Sequence, residues 1–206
     1  MKKYLVSLTM FFVISVWCTG LAGASPYTYV MGDSSYIDVS NTADPGLVME
    51  YTMNPGLSGL TFALNVGDSH TFSFAQIGTN ESWINDDDLD PKTITAYIDF
   101  ANPDITQSLN GTSVGFTGML AFDQGWSVTW ESPVTVNFGS GGQFRIGLSD
   151  AFYESGFWMG PDGFDCIAAT VTNLADPVTN GVPEPATLLL LGFGLIGVLG
   201  IRKKIH

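Results

Sequence analysis

Positive charge is scarce in this sequence, which has 7 Lys and Arg residues against 20 Asp and Glu residues. Five of the seven basic residues lie in the two end segments of the chain: Lys2, Lys3, Arg202, Lys203 and Lys204. Between those segments the only basic residues are Lys92 and Arg145, whereas 19 of the 20 acids lie there. This interior part of the chain therefore has a net charge of −17. Nucleic-acid binding and docking on anionic lipid both depend on clustered Lys and Arg. The composition therefore excludes both functions for the interior of the chain.

Cysteine and histidine are also scarce. Cys18 lies in the N-terminal segment and Cys166 is the other cysteine, so no disulfide can form within the interior. The apolar run that follows Cys166 predicts that this residue is a small core side chain. His70 is the single imidazole of the interior, no Gly-x-Ser-x-Gly nucleophile elbow is present, and a zinc site needs three or four protein ligands. We therefore predict that the protein is not an enzyme.

The N-terminal segment has the three parts of a secretory signal peptide. Lys2 and Lys3 form a positive region, 5–16 is an apolar run, and Ala22-Gly23-Ala24 is an A-x-A cleavage site. We therefore predict a signal peptide over 1–24, with an exported domain that begins at position 25.

The C-terminal segment has three parts, which are Val182-Pro183-Glu184-Pro185, an uncharged apolar run over 186–201, and the basic cluster Arg202, Lys203 and Lys204. Proline is tolerated in the first turn of a helix but not in its interior, so a helix is predicted to begin directly after the second proline. Its sixteen residues would rise about 24 Å, slightly less than the ~30 Å hydrocarbon core of a bilayer. Flanking basic residues favour the cytoplasmic side, which predicts a transmembrane helix with the preceding chain outside.

This order of a Pro-Glu-Pro signal, an apolar span and a basic cluster resembles the sorting tail of the bacterial PEP-CTERM proteins. The resemblance covers 182–206 and implies recognition by exosortase, a membrane transpeptidase-like enzyme, after passage through the secretion machinery. It also implies an inner-membrane anchor before processing, and afterwards a place on the surface or in the matrix of a biofilm-forming bacterium that produces exopolysaccharide. A plain membrane anchor is the alternative interpretation of the same residues.

The interior has the alternating pattern of β-strands and no stretch with helical periodicity. In 93–100, every second residue from Ile94 to Phe100 is apolar, which indicates a half-buried strand. Further strands are predicted at 47–53, 60–66, 71–77, 114–122, 126–131, 134–138, 144–148 and 166–171. Turn signals such as Asn110-Gly111 separate them. We predict an all-β, antiparallel sandwich or jelly roll over 25–172, followed by a linker over 173–181 and the sorting tail over 182–206.

The acidic run over 83–91 is the candidate metal site. Asp86, Asp88 and Asp90 alternate, and calcium takes six to eight oxygen ligands, several of them anionic. An EF-hand is excluded, because Pro91 stands where the loop requires its turn glycine and Tyr97 where it requires a bidentate Glu. Two interpretations remain, a looser calcium loop and a solvated acidic turn that keeps strand edges apart.

The segment 152–165 mixes aromatic residues with glycines and acids in what is predicted to be a loop. Phe157 and Trp158 are candidate platforms for a sugar ring, and Asp162 is a candidate acceptor for sugar hydroxyls. The alternative is that the two aromatic rings cover one end of the domain core.

Two functional hypotheses follow. The first is a secreted or surface-anchored structural protein of the extracellular matrix, without enzymatic activity and without a cofactor. The second is a carbohydrate-binding module for exopolysaccharide, with calcium as its one candidate cofactor. In both hypotheses the tail makes exosortase and the membrane partners of the protein, and nucleic acid is not a partner.

Overall fold

Buried and exposed side chains alternate along most of the chain, as expected for strands with one face on a core. The computed structural model describes residues 25–43, 45–118, 123–155 and 160–178, together with position 192. Pro26–Val178 forms one compact unit. The predicted signal peptide, the residues 182–185, the basic residues 202–204 and all of the helix 186–201 except position 192 lie outside the described residues. Within the described part of the chain, no helix has the length and apolar character needed to span a membrane.

The described residues of the unit Pro26–Val178 contain twelve strands. In chain order they are β1 (Tyr27–Met31), β2 (Tyr36–Asp38), β3 (Glu50–Met53), β4 (Thr61–Leu64), β5 (Ser69–Thr79), β6 (Lys92–Asn102), β7 (Asp104–Thr117), β8 (Gln124–Trp130), β9 (Val134–Phe138), β10 (Gly142–Leu148), β11 (Ala151–Glu154) and β12 (Gly163–Ala175). One 3-10 turn, Ser40–Thr42, follows β2.

The strands form two antiparallel sheets whose inner faces share one core. The seven-stranded sheet has the order β11-β8-β7-β6-β1-β4, with β2 also paired to β6, and the five-stranded sheet has the order β3-β5-β12-β10-β9. Between the sheets, the ring centroids of Tyr29 on β1 and Phe144 on β10 are 5.6 Å apart. The Tyr29 hydroxyl donates to Asn173 Oδ1 at 3.2 Å, so its buried polar atom has a partner. Each large apolar side chain buried in this way contributes roughly 1.5–3 kcal/mol.

The predicted all-β, antiparallel fold is confirmed. The strand predicted at 93–100 lies within β6, with Ile94 and Ile98 fully buried, and the strand predicted at 134–138 is β9. In both cases the local alternation of apolar and polar residues was a sufficient signal.

The turn predicted at Asn110-Gly111 is wrong, because both residues lie in the middle of β7. The turn between β6 and β7 is instead at Asn102-Pro103. Gly111 faces the core beneath the indole of Trp130, and a Cβ placed on it would lie 2.6 Å from Trp130 Cε3. The glycine is therefore explained by the close approach of a ring from the neighbouring strand and not by a turn.

The prediction that Cys166 is a core residue is also wrong, since its side chain is exposed. Consecutive residues of a strand face opposite sides, so Cys166 and Ile167 cannot both face the core. The larger side chain, Ile167, takes the buried position with 0% exposure. The same strand, β12, continues to Ala175 and therefore into the segment predicted as a linker, and Asn173 within it is fully buried.

The connections between strands gather at two opposite ends of the unit. At one end β1 begins and β12 ends: the Tyr27 hydroxyl donates to Asn102 Oδ1 at 3.1 Å, and Val178 N donates to Ser140 O at 2.8 Å. The chain therefore enters and leaves the unit at the same end. The opposite end holds the described residues of the connections 43–49, 80–91, 118–123 and 155–162. We call the described residues of 80–91, with Asp123, Glu154 and 160–162, the acidic end.

Candidate functional site

The acidic run over 83–91 is held to the unit by two inward-facing residues. Ile84 is 5% exposed and its backbone N donates to Gln124 Oε1 at 2.8 Å. Four residues later, Asp88 is 1% exposed and its Oδ2 accepts a hydrogen bond from Asn85 N at 2.8 Å. Its backbone O accepts from Gly115 N on β7 at 2.9 Å. The Asp88 carboxylate thus closes a turn of the loop, a common role for Asp in turns.

The three residues of the predicted calcium loop do not converge. Asp86 and Asp90 are exposed, whereas Asp88 is buried and bonded to the turn. Among the described residues, no group of three or more His, Cys, Asp or Glu side chains is arranged to hold a metal ion. The alternation of carboxylates in the sequence therefore does not correspond to a shared face.

Glu81 lies at the same end, two residues before the acidic run. Its Oε1 accepts a hydrogen bond from Val48 N at 2.6 Å, which ties the connection 43–49 to the acidic run. Burial raises the pKa of the Glu81 carboxyl above its usual range, and the adjacent negative charge of Asp88 raises it further, while the bond from Val48 N acts in the opposite direction. The two residues lie in the same connection, and the fold of that connection brings their carboxyl groups together.

A second carboxyl pair lies at the same end. The hydrogen bond between the side chains of Asp123 and Glu154, together with the charge of Asp123, raises the pKa of the Glu154 carboxyl. Two carboxyl groups can share a hydrogen bond only when one of them holds a proton. Glu154 is exposed at the end of β11, so solvent screens this pair more than it screens Glu81 and Asp88.

The fold brings the predicted metal segment and the predicted sugar-binding segment to the same end. A Cβ placed on Gly160 would lie 2.9 Å from Ser82 O, so Gly160 lies beside the start of the acidic run. Asp162 is exposed there, whereas Phe157 and Trp158 lie outside the described residues. The prediction that all of 152–165 is a loop is wrong, because Ala151–Glu154 is β11 and β12 begins at Gly163.

Trp83 is the most exposed aromatic side chain among the described residues of the acidic end, at 60% exposure. The next residue, Ile84, has a buried side chain. The side chains of Trp83 and Ile84 point in different directions, so the indole of Trp83 is in solvent. In the sequence, Trp83 is the first residue of the acidic run over 83–91. The signal that could have identified it is a large aromatic residue in a polar connection, where no core is available to it.

His70 takes a structural position. Its ring stacks on Phe62 with the centroids 4.5 Å apart and lies 6.0 Å from the ring of Phe72. Both partners are core residues, so the imidazole extends an aromatic layer between β4 and β5.

The fold and the acidic end define a two-sheet antiparallel β unit that is strongly acidic and whose chain enters and leaves at the end opposite its acidic loops. Residues 181–204, which follow this unit, match the PEP-CTERM protein-sorting motif. The chain thus carries the sorting motif of an exosortase substrate, and the motif implies export and membrane-associated sorting. No curated protein and no solved structure matches the chain.

Proposed function

We propose that this protein is a non-enzymatic structural component of the cell surface or extracellular matrix, delivered there as an exosortase substrate. The signal peptide over 1–24 would be removed on export. The helix over 186–201 would hold the chain in the inner membrane, with Arg202, Lys203 and Lys204 on the cytoplasmic side, until processing releases it. The observation that carries the proposal is the PEP-CTERM motif at residues 181–204, directly after the folded unit.

The position of the chain ends supports display. The unit ends at Val178 on the side where β12 ends, and the acidic end lies on the opposite side. Attachment through the tail therefore leaves the acidic loops remote from the attachment point. Two features support the absence of catalysis: the interior's single histidine is packed on Phe62, and the buried carboxylate Asp88 is bonded within its own turn.

The test is the intact mass of the protein recovered from the host envelope. We expect a species that lacks the N-terminal 24 residues and everything after the Pro-Glu-Pro region. The variant Pro183→Ala/Pro185→Ala should retain the tail, while Pro91→Ala, a proline substitution outside the motif, should be processed normally. Retention of the chain through His206 in the unsubstituted protein would contradict processing and leave a plain membrane anchor.

A second candidate function is carbohydrate binding at the acidic end, with or without calcium. The observation in its favour is the exposed indole of Trp83, which lies on the same end as Asp162 and the carboxylates of the acidic run. An exposed aromatic face stacks on the apolar face of a pyranose ring, and nearby carboxylates accept hydrogen bonds from its hydroxyls. This function requires that Trp83→Ala abolish glycan binding.

A further inference from the structure

The outer face of the seven-stranded sheet carries two stacked aromatic pairs. The rings of Tyr36 on β2 and Tyr97 on β6 have centroids 4.5 Å apart and an interplanar angle of 13°. The rings of Phe116 on β7 and Phe152 on β11 have centroids 5.3 Å apart and an interplanar angle of 7°. In each pair one ring is half-buried and the other is open to solvent, at 44% exposure for Tyr36 and 54% for Phe152.

The strand pairing holds each exposed ring in place. Tyr36 is directly opposite Tyr97 in the register of β2 and β6. Phe116 is opposite Gly125, and a Cβ on Gly125 would lie 2.5 Å from Phe116 Cζ, so the absence of a side chain there makes room for the ring. Phe152 then stacks on Phe116. Rings ordered before binding lose little side-chain entropy when a ligand arrives, which favours binding.

Between the two pairs the face carries mainly hydroxyl and amide side chains, together with Val114 on β7 and the carboxylate of Asp38, which lies opposite Thr95. In the register of the sheet, Thr112 lies between Thr93 and Thr129, and Asn110 lies opposite Thr95. Thr95 Oγ1 donates to Asn110 Oδ1 at 3.2 Å, and Ser127 stands between Val114 and Phe152. These groups can both donate and accept hydrogen bonds.

The separation of the aromatic pairs sets the length of a ligand that touches both. Along β7, Tyr97 is level with Ser108, and Phe152 is level with Val114 through Ser127 of β8. These two levels are six residues apart, which is roughly 20 Å at about 3.4 Å per residue. The two exposed rings are also four strand spacings apart across the sheet, from β2 to β11, roughly 19 Å at about 4.8 Å each. A ligand that bridges them is an extended chain of several units and not a single small molecule.

We propose that this aromatic face, the surface from Tyr36 and Tyr97 to Phe116 and Phe152, binds a linear, uncharged polysaccharide. Stacked rings at the two ends take the apolar faces of pyranose units, and the hydroxyl and amide side chains between them bond to sugar hydroxyls. The net charge of −17 repels a polyanion, so a neutral chain is the fitting partner. A second protein copy fits less well, because the centre of the face is polar where a protein interface has its apolar core.

The proposal shares with the second candidate function a glycan ligand, but it assigns a different surface. It does not depend on processing of the tail, which the intact mass reports separately. The experiment is affinity electrophoresis of the protein recovered from the host envelope, in gels that contain hydroxyethylcellulose, dextran, galactomannan or the polyanion alginate. We expect retardation by at least one neutral polymer and none by alginate.

The variant Tyr36→Ala/Phe152→Ala should weaken that retardation about tenfold or more. Phe164→Ala, which removes a 43% exposed ring from the five-stranded sheet, is the matched control and should leave retardation unchanged, as should Trp83→Ala. Each variant is checked for an unchanged melting temperature, and Tyr36→Phe, which keeps the ring, should bind like the unsubstituted chain. Retardation by none of the neutral polymers, by alginate alone, or equally in the double variant would overturn the proposal. Loss of binding through Trp83→Ala alone would place the glycan at the acidic end instead.

Discussion

Glu81 is a partly buried carboxyl group whose negative charge is unfavourable in the folded unit. Its carboxyl bonds Val48 N, which is a favourable contact, yet it also faces the buried Asp88. The raised pKa of Glu81 means that the folded state binds the proton more tightly than the unfolded state does. Ionisation of this group therefore costs stability as the pH rises from its ordinary value of 4.5 through the raised pKa.

We predict that Glu81→Gln stabilises the protein at neutral pH. The amide oxygen can still accept from Val48 N, and the amide nitrogen can donate to Asp88 where the carboxylate repelled it. The expected gain is about 0.5 kcal/mol, small because the Glu81 carboxyl is only partly buried and solvent screens it. Urea unfolding at about pH 7 and about pH 4 measures the gain, which should vanish at the lower pH, where the carboxyl is protonated in both states.

Glu131→Gln is the control for the loss of one negative charge, because Glu131 is exposed and has no carboxyl partner described at the acidic end. An equal gain in both variants would mean that net charge, and not the contact with Asp88, is responsible.

At the scale of the element, β7 shows where strand prediction from a sequence fails. Its fourteen residues contain Asn110-Gly111, a pair typical of turns, and the local pattern alone divides the strand. In the fold, the ring of Trp130 on β8 lies directly against Gly111 of β7. The pairing partner that explains the glycine is nineteen residues away in the sequence, beyond the reach of any local pattern.

We predict that Gly111→Ala destabilises the protein by about 1–3 kcal/mol, because the new methyl group and the Trp130 ring would overlap and the packed ring must move. The measurement is the free energy of unfolding from urea titration. Gly56→Ala is the matched control: a Cβ there meets only Asn54 Oδ1 at 3.5 Å, an ordinary contact. If the two substitutions cost the same, the close approach of Trp130 does not explain the glycine.

At the scale of the whole molecule, the charge of the exported unit is its main departure from an ordinary β protein. A net charge of −17 in a unit with two basic residues produces self-repulsion, which opposes the folded state and is reduced by salt. The acidic end adds to this repulsion locally, since Asp86 and Asp90 are exposed there without convergent geometry.

We predict that calcium chloride and sodium chloride raise the melting temperature equally when compared at the same ionic strength. Screening depends on ionic strength, whereas a specific ion that binds only the folded state adds a further shift. Thermal unfolding in millimolar calcium, with sodium chloride as the reference, measures the difference. An additional shift from calcium that Asp86→Asn/Asp90→Asn removes would contradict this prediction and establish the acidic run as a calcium site.

The sequence by itself determined the sorting motif of this protein, its charge and the class of its fold. The sorting motif at residues 181–204, the scarcity of Lys and Arg, and the alternation along β6 are all local or compositional signals. Each can be interpreted without knowing what lies nearby in space.

Only the tertiary structure decided which residues meet. It turned Asp88 inward and left Asp86 outside, it exposed Cys166 by giving Ile167 the core position, and it placed Ser82 beside Gly160. The reason is that strand register pairs residues distant in sequence, and a shift of one residue exchanges the two faces of a strand. The acidic end and the aromatic face are products of that register.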